Sequence, residues 1–564
     1  MSPRLNQRQH RFRIRSQRTL DVLVILLTVN LVCAIDPAVA QAVTVKQWGV
    51  FEKAVTSTQP YSDEAKYKDV ILNATFIGPR GLSYTVPGFW DGDKVWRIRF
   101  SPTTPGEWRY RIDSTDDQLD APANDGTFVA EPPTAADISG NQNYRGFLKV
   151  SRNRRYLEYG DGTPFFWLGD TVWDGNSKNM GIDTDFPFYI ENRKDKGFSV
   201  IQILVAHPGQ RLVQLELQGC KPPRNTGCNE SGYVYEMPSN FSRISARIQR
   251  TVTGSAPAYP EAINPENFQN LDRRLQLIVD HGMVPYIVFG WAKDFGAVST
   301  ESLKSYVRYI IARYQAYNVI WCISGEHYFL KDKAKFKAIG DYVKDLDALG
   351  HLTTIHGWTP GELDQEPWLD FISLTAWGLP RELHAILAEK LGNSRVPFLL
   401  SESRYDGNEP GPAYAPRKYA LEALTAGAMG YTYGADGVWD WGTDARFPNP
   451  RSRLDIPSSL EMQALGRFLS GIEWWKLSYG RQNADRDRVL SEPGKQYLVW
   501  LEGGGPVTLP LPKGQVRVTA KWLNLVRRTV TRSDGITSGG KQTFTPPEPG
   551  DTLLYLTLRS VSSR

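Results

Sequence analysis

Three rhythms of apolar and polar residues follow one another along the chain. From Val43 to about Val129 short runs alternate with a period of two: "TVKQWGVFEKAVTS", "VILNATFIGP" and "GLSYTVPGFWDGDKVWRIRFSPTTPGEWRYRIDS". Trp96, Ile98 and Phe100 share one face, while Lys94, Arg97 and Arg99 take the other face or the ends. Strands of this spacing, with Pro and Gly between them, predict an antiparallel β-sandwich over residues 41–135. "EPPTAADISGNQN" (131–143) reads as a linker.

Over residues 145–477 the rhythm changes to apolar strands alternating with helical stretches. Candidate strands are "FFWLGDTVW" (165–173), "FSVIQILVAH" (198–207), "MVPYIVFGW" (283–291) and "NVIWCISGE" (318–326). Four more follow: "LTTIHGW" (352–358), "FISLTAWG" (371–378), "VPFLLSESRY" (396–405) and "GYTYGADGVWDW" (430–441). Between them lie helix patterns such as "NPENFQNLDRRLQLIVDHG", where Pro265 suits the first turn and Gly282 the end. Eight such strands predict an α/β fold, a (β/α)8 TIM barrel, with one large insertion at 208–263. From 480 to 564 alternation returns in "KQYLVWLEGG", "QVRVTAKWLN" and "DTLLYLTL", predicting a small C-terminal β-sandwich.

A chain of 564 residues is too long for one core, in keeping with several domains. Residues 1–40 resemble an export signal. Six arginines precede the apolar stretch "VLVILLTVNLVCAI", and "AVA" ending at Ala40 resembles a cleavage site. At 14 residues that stretch is short for a membrane span of roughly 20; retention as an anchor is the alternative. Without the leader, 60 basic residues face 59 acidic ones, so charge gives no case for nucleic acid or an anionic membrane as partner. The expected compartment is therefore the periplasm or the exterior of a bacterium. There Cys220 and Cys228, bracketing "KPPRNTG", are expected to form a disulfide. Cys322 lies inside an apolar strand and reads as a packed thiol. The sequence says nothing of oligomeric state.

In a (β/α)8 barrel the reacting groups stand at the carboxyl ends of the strands. Strand four ends on Glu326, followed by His327, and the end of strand seven carries Glu402, with Arg404 two residues on; His327 and Arg404 are candidate substrate-binding groups. Two carboxyls across one barrel mouth are what glycoside cleavage needs: one protonates the departing oxygen, the other attacks the anomeric carbon or activates water. By analogy with other barrel glycosidases, Glu326 is expected as acid/base and Glu402 as nucleophile. The other strand ends supply candidate sugar-binding groups: Asp170, Trp173, His207, Trp291, His356, Trp358, Trp377, Tyr433 and Trp439. Seventeen Trp are many, and an aromatic cleft suits the apolar faces of sugars, although packing claims some of them. The structural alternatives stand beside this: a Glu after a strand is often a solvated loop residue, and a lone His often satisfies a core hydrogen bond. Asp170, His207 and His356 as zinc ligands would make a metal hydrolase, yet no HxH or HExxH spacing occurs, and neither metal nor cofactor is expected. A barrel that binds carbohydrate without cleaving it is the other alternative.

"GFLKVSRNRRYLEYGDGTPFFWLGDTVWDG", "VIWCISGEHY", "LLSESRY" and "GYTYGADGVWDW", in that order, resemble the apiosidase-like glycoside hydrolases, the group around glycoside hydrolase family 140. The resemblance covers about Phe147 to Leu477, and the flanking β-segments resemble the sandwich ahead of such barrels and the family's C-terminal β-domain. It implies an exported (β/α)8 glycosidase with a carbohydrate substrate, in which Glu326 and Glu402 match the two acid positions. "SGEH" at strand four differs from the Asp after paired glycines common among those relatives, and the insertion rebuilds one cleft wall. The sugar is therefore left open.

Overall fold

The computed structural model describes residues 43–205, 228–234, 263–296, 298–357, 363–377, 383–391, 394–407, 414–480 and 488–561. His207, Cys220 and Trp358 from the sequence reading, together with the leader, lie outside the described residues.

Eight parallel strands form the centre: β1 (Trp167–Val172), β2 (Val200–Leu204), β3 (Val284–Val288), β4 (Ile320–Cys322), β5 (Leu352–Thr354), β6 (Ile372–Ala376), β7 (Phe398–Ser403) and β8 (Gly430–Tyr433). They pair in the order β5-β4-β3-β2-β1-β8-β7-β6. The seam between β5 and β6 closes through a parallel bridge of His356 with Ser373 and the bonds Asp370 N–H to Thr353 O (3.0 Å) and Gly357 N–H to Ser373 O (3.1 Å). The sheet is thus a closed cylinder.

Helices α1 (Asp185–Asp195), α2 (Pro265–Asp280), α3 (Thr300–Tyr314), α4 (Lys333–Leu346), α5 (Leu383–Leu391), α6 (Tyr414–Thr425) and α7 (Pro457–Ser470) cover the outside. Helix α2 starts as its sequence predicts: the Asn264 side chain accepts from the Glu266 and Asn267 amides, and Pro265 occupies the first turn. It ends at Gly282, whose φ of 71° an L side chain rarely adopts. None of these helices is long and apolar enough to cross a membrane.

Both faces of the barrel strands are buried, one against the helices and one inside the cylinder. Trp167, Leu204, Tyr286, Ile320, Leu352 and Leu399 fill the interior. Above them a polar layer crosses the barrel. Trp167 Nε1 donates to Thr432 Oγ1 (3.0 Å), Thr432 to Gln202 Oε1 (3.2 Å), and Gln202 Nε2 to Thr171 Oγ1 (3.2 Å) and the Ser401 carbonyl (3.0 Å). Every link has a partner, so the layer fixes the upper strand ends at little desolvation cost.

The N-terminal β-region is two sheets of five and three strands. Stacked Phe51–Phe128 and Phe76–Phe100 pairs, each 4.1 Å between ring centres, hold them together. A buried ionic network ties this region to the barrel: Arg313 of α3 pairs with Asp91 and Asp272 (2.7 Å each), and Arg99 with Asp272 (2.8 Å) and Glu52 (2.7 Å). The C-terminal region is one six-stranded antiparallel sheet. Its longest strand, Val507–Asn524, breaks register between Leu511 and Gln515. Beside that break, Tyr497 Oη donates to the Pro510 carbonyl at 2.6 Å. Arg417 of α6 joins it to the barrel through Asp551 (2.8 Å) and Glu461 (2.6 Å).

Candidate active site

Glu402 reaches the barrel mouth through a β-bulge. On β7, Leu399 and Ser401 face inward, so strict alternation would send Glu402 to the helix side. Pairing with β6 skips a residue: Leu374 faces Leu400, but Thr375 faces Glu402. The extra residue re-aims the next side chain, and Glu402 turns into the mouth, 3% exposed.

Two donors meet its Oε1. Trp173 Nε1 stands at 3.3 Å, and the Tyr405 hydroxyl makes a very short bond. Trp173 Nε1 also donates to Tyr405 Oη at 2.9 Å. An indole N–H can only donate, so Tyr405 accepts from Trp173 and directs its own proton at Glu402. The second oxygen, Oε2, lies 3.5 Å from His356 Nε2. That imidazole is buried, both ring nitrogens lack a hydrogen-bond partner among the described residues, and burial pushes its pKa down to about 3. It is neutral at pH 7 and forms no ion pair. Burial pushes the Glu402 carboxyl up to about 7; the Tyr405 bond opposes that shift, and the charge of Glu326 adds to it.

Glu326 follows β4. Backbone bonds extend the ladder past the strand to Gly325, which bridges Trp291. A Cβ on Gly325 would sit 2.0 Å from the Trp291 ring, so only glycine lets the indole lie flat against the chain. Glu326 itself adopts φ 46° and ψ 49°, a left-handed conformation costing about 1 kcal/mol or more in a non-glycine residue. That turn presents a half-buried carboxyl, whose Oε1 accepts from Tyr328 Oη at 3.1 Å. Burial raises the pKa of the Tyr328 hydroxyl, and the charges of Glu326 and Glu402, within whose fields it lies, add to the shift. The two acids, from opposite strands, thus share one mouth.

Aromatic rings complete the wall. Trp173 meets Trp291 edge to face at 5.1 Å and His356 at 5.5 Å. Trp377, 37% exposed, packs on Tyr405 at 5.1 Å, and Trp439 approaches Tyr405 at 6.1 Å. Trp439 is held by Asp436 (3.0 Å), itself paired with Arg446 (3.0 Å). His327 lies behind the acids, its amide bonded to the His356 carbonyl at 3.1 Å. Arg404 is half-buried on the loop between Glu402 and Tyr405.

Two expected cleft residues face the other way. Asp170 and Tyr433 are fully buried on the helix side of the barrel wall. Asp170 pairs with Arg193 of α1 (2.5 Å) and accepts from Tyr189 (2.8 Å); Tyr433 bonds Ser458 of α7 (2.8 Å). The cause is the two-residue alternation: Trp167 and Thr171 point inward, and Asp170 between them points out. A metal site of Asp170 with His356 is thereby ruled out, because the barrel wall separates them. Cys228 is buried and disulfide-bonded, whereas Cys322 is a free thiol inside the barrel whose burial raises its pKa to about 12. Sequence reasoning missed Tyr405, whose one signal is its place three residues after Glu402 in "SESRY".

Residues 151–476 match the family model described as apiosidase-like, catalytic domain, and residues 44–115 match a domain of unknown function, DUF5060. No curated protein matches the sequence. Among solved structures, a candidate glycoside hydrolase from Bacteroides vulgatus is similar over 92% of this chain and 100% of its own, at 20% identity and a TM-score of 0.72. A glycoside hydrolase family 5 protein from the same organism aligns with 73% of this chain and 93% of its own, at 19% identity and a TM-score of 0.57. These likenesses bear on the fold. With the family model spanning more than half of the sequence, the chain belongs to the apiosidase-like family and is a glycoside hydrolase, an enzyme that hydrolyses O-glycosyl bonds.

Proposed function

We propose that the protein is an exported glycosidase that cleaves a poly- or oligosaccharide by a two-carboxylate mechanism, with Glu326 as acid/base and Glu402 as nucleophile. The observation that carries this reading is the pair of acids at the ends of β4 and β7, close enough that the charge of Glu326 raises the Glu402 pKa. Their surroundings divide the roles. Glu402 receives two donors on Oε1, an arrangement that favours its anion and holds Oε2 at a fixed angle. Glu326 is the more exposed acid, on a turn at the rim, where a departing group can take its proton and leave. The Trp291, Trp173, Trp377 and Trp439 rings would flank the sugar. Export is supported by the arginine-rich, apolar leader and by the disulfide-bonded Cys228.

The test is a polysaccharide panel treated with the purified mature chain, read as release of reducing ends, with proton NMR of the first anomer formed. The proposal expects hydrolysis with retention of configuration. Inversion would make Glu402 a base instead of a nucleophile, and glycan binding without hydrolysis would favour a noncatalytic barrel.

A further inference from the structure

A second feature lies away from the barrel mouth. Where the end of α7 and the turn Trp474–Lys476 meet the open face of the C-terminal sheet, they enclose a cleft of about 750 Å³. Its floor carries Arg517, Lys521, Arg532 and Arg559, and its wall carries Trp475.

The register of the sheet sets these cations against one another. Arg517 stands directly opposite Arg559, and Lys521 directly opposite Arg532. Like charges at directly paired positions are destabilising, and only the Lys521–Arg532 pair has a bonded counter-ion, Asp534 on Arg532. One carboxylate, Asp534, offsets part of this charge: it pairs with Arg532 and lies within the field of Arg517. Asp534 is engaged by Arg532 (3.0 Å) and Thr519 (2.5 Å), and Glu473 by Lys476 (2.6 Å). Arg517 and Arg559 make no ion pair among the described residues, and both are exposed. Trp475, half-buried and set edge-on against Trp474 at 5.9 Å, lines the same cleft as the cations.

We propose that this cleft is a second carbohydrate site, which binds a glycan bearing uronic-acid carboxylates. Arginine forks match carboxylates in a bidentate manner, and an indole face suits the apolar face of a pyranose. That the anion is a saccharide rests on the glycosidase reading of the barrel. Held on the same chain, the cleft raises the effective concentration of a charged polysaccharide near the catalytic mouth.

Binding to a galacturonate hexamer, followed by titration calorimetry of the full mature chain in 0.15 M salt, tests this. The Arg517→Ala/Arg559→Ala double variant should bind at least tenfold more weakly, and so should Trp475→Ala. Loss of binding in the arginine double variant, whose substitutions lie on the C-terminal sheet, places the binding there and not in the barrel, so the outcome stands whether or not the chain hydrolyses any glycan. Because the arginines repel each other, the double variant should melt no lower than the parent, and a lower melting temperature would contradict the argument. A neutral dextran oligomer should not bind at the cleft. Unchanged hexamer affinity in the double variant would overturn the proposal. So would binding that is indifferent to Trp475 and equally strong for dextran sulfate, which would mark a bare anion patch.

Discussion

Replacing Glu402 by Gln should make the protein more stable, but only at high pH. The Glu402 carboxyl titrates at about 7 in the fold, against 4.5 when unperturbed. A difference of that size disfavours the buried anion by about 3 kcal/mol. Below pH 4.5 the folded and unfolded chains both hold the proton, so nothing is lost. Between 4.5 and 7 the unfolded chain releases it first, and stability falls as pH rises. Above 7 the full cost of about 3 kcal/mol is present. Gln avoids this cost, while its carbonyl can still accept from Tyr405 and Trp173, and its amide can donate to the neutral His356. Calorimetric melting of the parent and Glu402→Gln at pH 4.5 and pH 8.5 measures the difference. The variant's advantage should be near zero at pH 4.5 and about 3 kcal/mol, or a few degrees, at pH 8.5. An advantage independent of pH, or a deficit at pH 8.5, would refute the reasoning that burial dominates this carboxyl.

Other variants probe the supports of the site. Tyr405→Phe removes a bond to a charged acceptor worth about 1.5–3 kcal/mol, so the ascending limb of kcat/KM against pH should move up by about one to two pH units. Asp170→Ala strands the buried Arg193 and should destabilise by about 3–5 kcal/mol. KM of the folded fraction should nevertheless stay within about twofold, because Asp170 faces the helices. Gly325→Ala drives a methyl into Trp291 and should lower kcat at least about tenfold. Gly340→Ala, which meets Trp368 at 2.4 Å far from the mouth, should cost about 1–3 kcal/mol of stability and leave kcat unchanged.

The eight strands and both acids were legible because each strand is an apolar run, and the barrel rule places chemistry at its carboxyl end. Which face each residue takes was harder to read. Barrel strands are buried on both sides, so the apolar pattern that marks a half-buried strand is missing. Counting alternate residues from Trp167 would have sent Asp170 outward, as observed. The same count on β7 would have discarded Glu402, whose inward turn depends on a bulge with no local signal in "FLLSES". Tyr405 was missed because it lies past the end of β7, where no strand period places its hydroxyl against Glu402. The aromatic count also divides. Trp96, Trp108, Trp167, Trp321, Trp368 and Trp500 are fully buried, whereas Trp291, Trp377 and Trp439 are open to the mouth.

The central claim is that Glu326 and Glu402 together carry the chemistry. Initial rates on the best glycan of the panel, for parent, Glu326→Gln and Glu402→Gln at matched folded concentration, test it most directly. The account predicts a loss of about a thousandfold or more in each variant, with circular dichroism unchanged. Retention of more than a tenth of the parent rate by either variant would contradict it.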